Sequence, residues 1–239
     1  MPVLFVGHGS PENAIMANAF TRQMKRLGEE LPRPKAILAI SAHWLTRGTW
    51  VTGMDRPRTI HDFYGFPREM YDLQYPCPGS PGYAREVQNL ITTTKVGWNL
   101  DWGLDHGTWT ILSRIYPAAD IPTFQLSIDY DQPPEYHYAL AKELAPLREE
   151  GVLIVGSGNI THNLRLNDYP DLNAQPGAWA VEFDEKVKAS LLRRDHAPLV
   201  HYQNWGRVAA LAVPTNDHYL PMLYAAALQE EGSTVKFVY

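Results

Sequence analysis

The 239-residue chain has one cysteine, Cys77, which excludes an intrachain disulfide and any cysteine-rich zinc site. It also lacks a surplus of basic residues: 21 Lys+Arg stand against 26 Asp+Glu, a formal net charge of −5. Proteins that bind nucleic acid normally carry the opposite balance, so no nucleic-acid partner is expected. Long apolar runs are missing too. Stretches such as Val208–Val213 fall far short of the roughly 20 residues that cross a bilayer, so no membrane partner is expected. The opening Met-Pro-Val-Leu-Phe-Val-Gly-His has no basic segment, and its apolar part is too short for a secretory leader. A cytoplasmic location is the expectation. Several catalytic signatures are absent as well. There is no Gly-Lys-Ser/Thr phosphate loop, no Gly-x-Ser-x-Gly elbow and no His-Glu-x-x-His pair. Gly7-x-Gly9 and Gly156-x-Gly158 are incomplete dinucleotide fingerprints, each without its third glycine.

What is present is ordinary globular composition, 45% hydrophobic and 20% charged. Apolar runs predict strands at Val3–Val6, Ala36–Ile40, Thr49–Thr52, Pro122–Ile128, Val152–Val155 and Val235–Tyr239. Helical spacing predicts helices over Ala17–Leu31, Gly82–Ile91, Gly107–Tyr116, Glu135–Arg148, Ala178–Arg194 and His218–Glu230. Pro221 belongs in the first turn of the last. This alternation argues for an α/β fold, a single domain spanning 1–239 with a central mostly parallel or mixed sheet flanked by helices. The 19 prolines and 17 glycines are spread through the loops and mark no linker. The longest irregular stretch, about Asp55 to Gly79, holds Ile60-His61-Asp62-Phe63, and loops of that length are usually functional.

Nine histidines break the ordinary picture. Open α/β sheets bind ligands beyond the carboxyl ends of their strands. His8, His43, His162 and His218 each follow an apolar run, at Val3–Val6, Ala36–Ile40, Val152–Val155 and Val208–Val213. Such placement brings all four to one strand-end rim. A neutral imidazole has one acceptor nitrogen that needs a partner, and a divalent transition metal supplies it. Gly7 and Gly9 allow a sharp turn that points His8 inward. For each residue a plainer role stays open, for His218 that of a helix N-terminal residue capped by Asp217 or Asn216. His106, just before a predicted helix, is a candidate proton donor or acceptor, or packs there behind an Asp105 cap. His61 and Phe63 are candidate substrate contacts. His137, His196 and His201 read as structural or exposed.

At these residues the chain resembles the LigB-type class III extradiol ring-cleavage dioxygenases, closest to their 4,5-DOPA branch. The stretches that carry the resemblance are Gly7-His8-Gly9-Ser10-Pro11, Ser41-Ala42-His43-Trp44, Ile60-His61-Asp62-Phe63, Asp105-His106-Gly107, Ser157-Gly158-Asn159 through His162-Asn163, and His218-Tyr219-Leu220-Pro221. They run in family order across nearly the whole chain. Gly-His-Gly-Ser alone also occurs in small chelatases. Family members usually continue with a further C-terminal segment past the position of Tyr239. The resemblance implies one mononuclear divalent metal, Fe(II) for activity or Zn(II) as bound, held by His8, His43 and His218. His162 is a fourth ligand or the acid/base, and His106 is its helper. The implied substrates are a catechol and O2. Two other readings stay open: a zinc-dependent hydrolase or chelatase, with Glu12 as the tempting base of a hydrolase, and a non-catalytic metal-binding scaffold.

Overall fold

The computed structural model describes residues 1–166, 171 and 174–239. Among them six strands form one sheet: β1 (Val3–Gly7), β2 (Ala36–Thr46), β3 (Trp50–Thr52), β4 (Gly97–Asn99), β5 (Thr123–Asp129) and β6 (Val152–Gly158). Their order is β1-β6-β2-β5-β3-β4. β1, β6, β2 and β5 are parallel, β3 is antiparallel to β5, and β4 is parallel to β3. The sheet is therefore mixed, with a parallel core. Of its inner strands, β2 and β6 open with continuous apolar runs because both faces are covered. The third, β5, is buried throughout yet carries Thr123, Gln125 and Ser127 between its apolar residues. On β2, Ala36, Leu38 and Ile40 enter one apolar cluster while Ile37 enters the other; β6 divides in the same way.

The helices are α1 (Ala19–Glu30), α2 (Arg68–Asp72), α3 (Pro81–Leu90), α4 (His106–Ile115) and α5 (Pro134–Lys142). Then follow α6 (Ala145–Glu149), α7 (Ala178–Arg193), α8 (Ala197–Val200), α9 (Arg207–Ala212) and α10 (Leu220–Ala227). Met24 and Leu27 of α1 share a cluster with Ile111 and Leu112 of α4 on one face. Leu140 of α5, Phe183 of α7 and Leu223 of α10 share the cluster on the other. Local chemistry sets the helix ends. Asn18 and Thr21 form a reciprocal capping box, so α1 starts two residues after the expected Ala17. Pro221 does sit in the first turn of α10. The expected single helix Glu135–Arg148 is two, because Pro146 lacks an N–H and opens the first turn of α6.

Two of the expected apolar elements differ. Val208–Val213 lies almost wholly in α9: its three alanines favour a helix, and six residues are too few for periodicity to decide. Val235–Tyr239 joins no strand. It packs outside the sheet, with Tyr239 edge-on to Phe20 and Lys236 paired to Glu30. Among the described residues no helix is long and apolar enough to cross a membrane.

His137, on α5, is fully buried and hydrogen-bonds the Tyr224 hydroxyl at 3.0 Å. Burial lowers its pKa from 6.5 to about 4. Between those values the unfolded chain takes up a proton that the folded chain refuses. Stability should therefore fall as pH drops through this window and level off below it, by roughly 3 kcal/mol from this group. Urea melts at pH 7, 5 and 4 should show a shallower loss for His137→Phe than for the wild type. Equal slopes would remove His137 from the account.

Candidate metal centre

β1 and β6 end side by side, with Gly7 opposite Gly158. His8 follows directly, its backbone N–H donating to Gly158 O at 2.9 Å. Gly9 then turns the chain away with φ +61°, a conformation that a side chain would strain. The His8 ring is buried, and its Nδ1 lies 3.0 Å from Ser157 Oγ on β6. That hydroxyl donates its one proton to Gly107 O at 2.6 Å, since a carbonyl only accepts. Ser157 must then accept from His8 Nδ1–H. His8 Nε2 is left with its lone pair.

His43 does not follow β2 but lies within it, because the strand continues to Thr46. From Ile40 to Leu45 the chain advances five residues while β5 advances two, from Leu126 to Ile128. The bulge re-aims the intervening side chains over the rim. His43 Nε2 comes to 3.3 Å from His8 Nε2. Beneath it, Ser41 Oγ donates to Asp105 Oδ1 at 2.6 Å. Asp105 caps α4 by accepting from Thr108 N–H at 3.0 Å, and takes a bond from Gln125 Nε2 at 2.7 Å. Burial, with the Asp62 charge, raises its pKa despite these bonds.

His218 arrives not from a strand but from the turn between α9 and α10. Asn159 N–H, just past β6, donates to His218 O at 2.9 Å and fixes that turn to the sheet end. Its Nδ1 bonds the Asp217 carboxylate. Burial works to raise the Asp217 pKa, yet bonds from His218 and Thr215 hold it well below the usual carboxylate range. An ionised carboxylate only accepts, so His218 Nε2 also keeps its lone pair.

His8, His43 and His218 each offer a ligand atom within 4.8 Å of the others. Burial, helped by neighbouring imidazoles, lowers the His8 pKa well below 6.5 and brings His43 to about 3. Those two rings thus favour the neutral form near pH 7. Neutral imidazoles with inward lone pairs repel one another unless a cation lies between them. That donor set fits a divalent transition metal. Gly107 makes the approach of α4 possible: a Cβ there would lie 2.7 Å from Ser41 Oγ and 2.8 Å from His43 Cδ2.

His162 is beside this set rather than within it. Its ring stacks on His218 at 3.5 Å and 9°, and its candidate ligand atom groups with Asp217 and His218. Burial and the His218 charge lower its pKa to about 4. His106, at the start of α4, is buried with its ring 3.8 Å from His43 and its Nδ1 3.0 Å from Asp62 Oδ2. Phe63 packs edge-on against His106 at 5.6 Å. His61 is one layer further out. Its Nε2 contacts Leu73 O at 2.9 Å, and its ring packs on Phe63, Tyr71 and Trp109. Glu12 belongs to none of the candidate ligand groups among the described residues. Sequence reasoning missed the supporting partners Ser41, Ser157 and Asp62, each brought in by sheet register or by the long loop.

Residues 2–239 match the family described as the catalytic LigB subunit of aromatic ring-opening dioxygenase. A 4,5-DOPA dioxygenase extradiol of Escherichia coli (strain K12) is 47% identical over 228 residues, which cover 94% of this chain and 83% of that protein. The Beta vulgaris protein of the same name is 36% identical over 241 residues, covering 98% and 89% respectively. A crystal structure of an uncharacterized Escherichia coli K12 protein superposes with a TM-score of 0.82 at 42% identity, covering 95% of this chain and 88% of that one. The chain belongs to the LigB family of aromatic ring-opening dioxygenases.

Proposed function

We propose that the protein is a non-haem, metal-dependent extradiol dioxygenase that opens a catechol ring with O2, on a substrate resembling dihydroxyphenylalanine. The observation that carries this reading is the convergence of His8, His43 and His218 within 4.8 Å, with two further histidines flanking them. The names of the relatives support the substrate class. His8, His43 and His218 would hold the metal. Fe(II) there would supply a centre for both catechol oxygens and O2 and the electron transfer between them, which zinc, with no accessible redox change, does not.

The chain's own groups supply binding and proton transfer. His162, with its pKa near 4, is neutral at pH 7 and can accept a catechol hydroxyl proton at the edge of the site. Its place in the group with Asp217, outside the one with His8 and His43, supports proton transfer over ligation. His106 is a second acceptor on the opposite side, against His43. Phe63 offers an aromatic edge for the ring to pack on, and His61 supports Phe63 from behind.

The test is oxygen consumption by protein reconstituted anaerobically with Fe(II) and given L-DOPA, with the yellow ring-opened product followed optically. Uptake is expected with iron and not with zinc. Absence of uptake across several catechols, with metal occupancy confirmed, would favour a hydrolase or a binding scaffold instead.

A further inference from the structure

The long loop after β3 places a carboxylate between two of the clustered imidazoles. Asp62 Oδ2 is 3.0 Å from His106 Nδ1 and 3.6 Å from His43 Nδ1, while Oδ1 accepts the His106 backbone N–H at 2.8 Å. The backbone holds it there. Ile60 N–H donates to Leu104 O at 2.8 Å, Leu104 N–H to Arg58 O at 2.9 Å, and Trp109 Nε1–H to Ile60 O at 2.8 Å. Thr59 and Leu104 form a parallel bridge, so the loop runs alongside the segment that leads into α4. Only 20% of the Asp62 side chain is exposed.

We propose that Asp62 is a positioning residue of the metal centre, holding both His43 and His106 in the tautomer that carries its proton on Nδ1. The inference rests on the metal-site reading above. These contacts are electrostatic rather than aligned hydrogen bonds, since His106 Nδ1 has no hydrogen-bond partner and His43 Nδ1 lies beyond hydrogen-bond reach. A carboxylate beside an imidazole nitrogen still favours N–H over a second lone pair there. With the proton on Nδ1, His43 directs its lone pair from Nε2, the atom 3.3 Å from His8 Nε2. His106 likewise presents Nε2 as an acceptor. Each metal-facing histidine then has its own orienting group: Ser157 for His8, Asp62 for His43 and Asp217 for His218. Such outer partners fix ring orientation and raise ligand basicity. Asp62 differs from the other two because it also serves His106 and the first amide of α4, where the helix dipole favours negative charge. One side chain thereby couples the loop, a ligand and a proton acceptor.

Asp62→Asn tests this. The amide keeps an acceptor for the His106 backbone N–H but places an NH2 donor against the Nδ1 atoms, favouring the opposite tautomer. Zinc affinity, measured by competition with a chelator, should weaken by about 10–100-fold while the metal-free variant still melts cooperatively. At saturating Fe(II) the remaining defect should appear in kcat rather than KM, since His106 is also misdirected. Tyr71→Ala, which removes a ring of α2 that packs on Phe63, is the control for general loosening. Zinc affinity of Asp62→Asn within twofold of wild type would overturn the inference, as would an equal loss in Tyr71→Ala. Wild-type protein that binds no zinc would overturn the metal-site reading itself, and this inference with it.

Discussion

His43→Ala is expected to abolish one-to-one metal binding and, with it, catechol-dependent oxygen uptake. Removal of an outer-shell partner typically weakens metal binding by about 10–100-fold, and loss of a ligand should exceed that. The variant discriminates among the three groups of side chains that could hold an ion. His43 belongs to the set with His8 and His218 and to the set with Asp62 and His106, but not to the set of His162, Asp217 and His218. Metal retained after His43→Ala would therefore place the ion at the third set and move the whole centre. The fold should tolerate the change, since His43 projects from a bulge and 19% of its side chain is exposed. Metal analysis, an oxygen electrode and a melting curve on the same preparation check all three statements.

How much of this was legible beforehand depended on whether a residue's partner is set locally. The strands β2 and β6 were readable because a sheet covered on both faces writes itself as unbroken apolar runs. β1 and β5 were readable because short apolar or alternating segments are bounded by turn residues. Three-residue β3 and β4 carry little such signal, and β4 was missed. His8 could be placed because its glycines and the end of β1 are neighbours in sequence. His43 was placed at the right rim for an incomplete reason: the strand does not stop before it but bulges around it. His218 reached the rim although the run before it is helical, because the turn into α10 is bound to Asn159 at the end of β6. Ser157 showed no nucleophile motif, and its task of orienting His8 depends on parallel register, which pairs it with Val6. Asp62 and His106 stand 44 residues apart, and only the fold of the long loop brings them together. Val235–Tyr239 misled because its two valines, Phe237 and Tyr239 read as a strand wherever they pack.

His162→Ala should lower turnover by about 10²–10⁴-fold, the usual worth of general acid–base assistance, while metal content stays near one per chain. The separation of the two effects is the point of the experiment. His162 lies flat on the outer face of the His218 ring, at 3.5 Å, and is partly exposed, so a substrate bound at the rim can reach it. Removing it leaves the bond between His218 Nδ1 and Asp217 intact, and hence the orientation of that ligand. With a pKa near 4 the ring is neutral at working pH, ready to take a proton and return it later, which an amide is not. His162→Gln should therefore be as slow as His162→Ala despite its polarity. If zinc affinity falls together with turnover, His162 is a fourth ligand and His106 becomes the principal proton acceptor. Full activity in His162→Ala would remove it from the proton path and leave that task to the pair of His106 and Asp62.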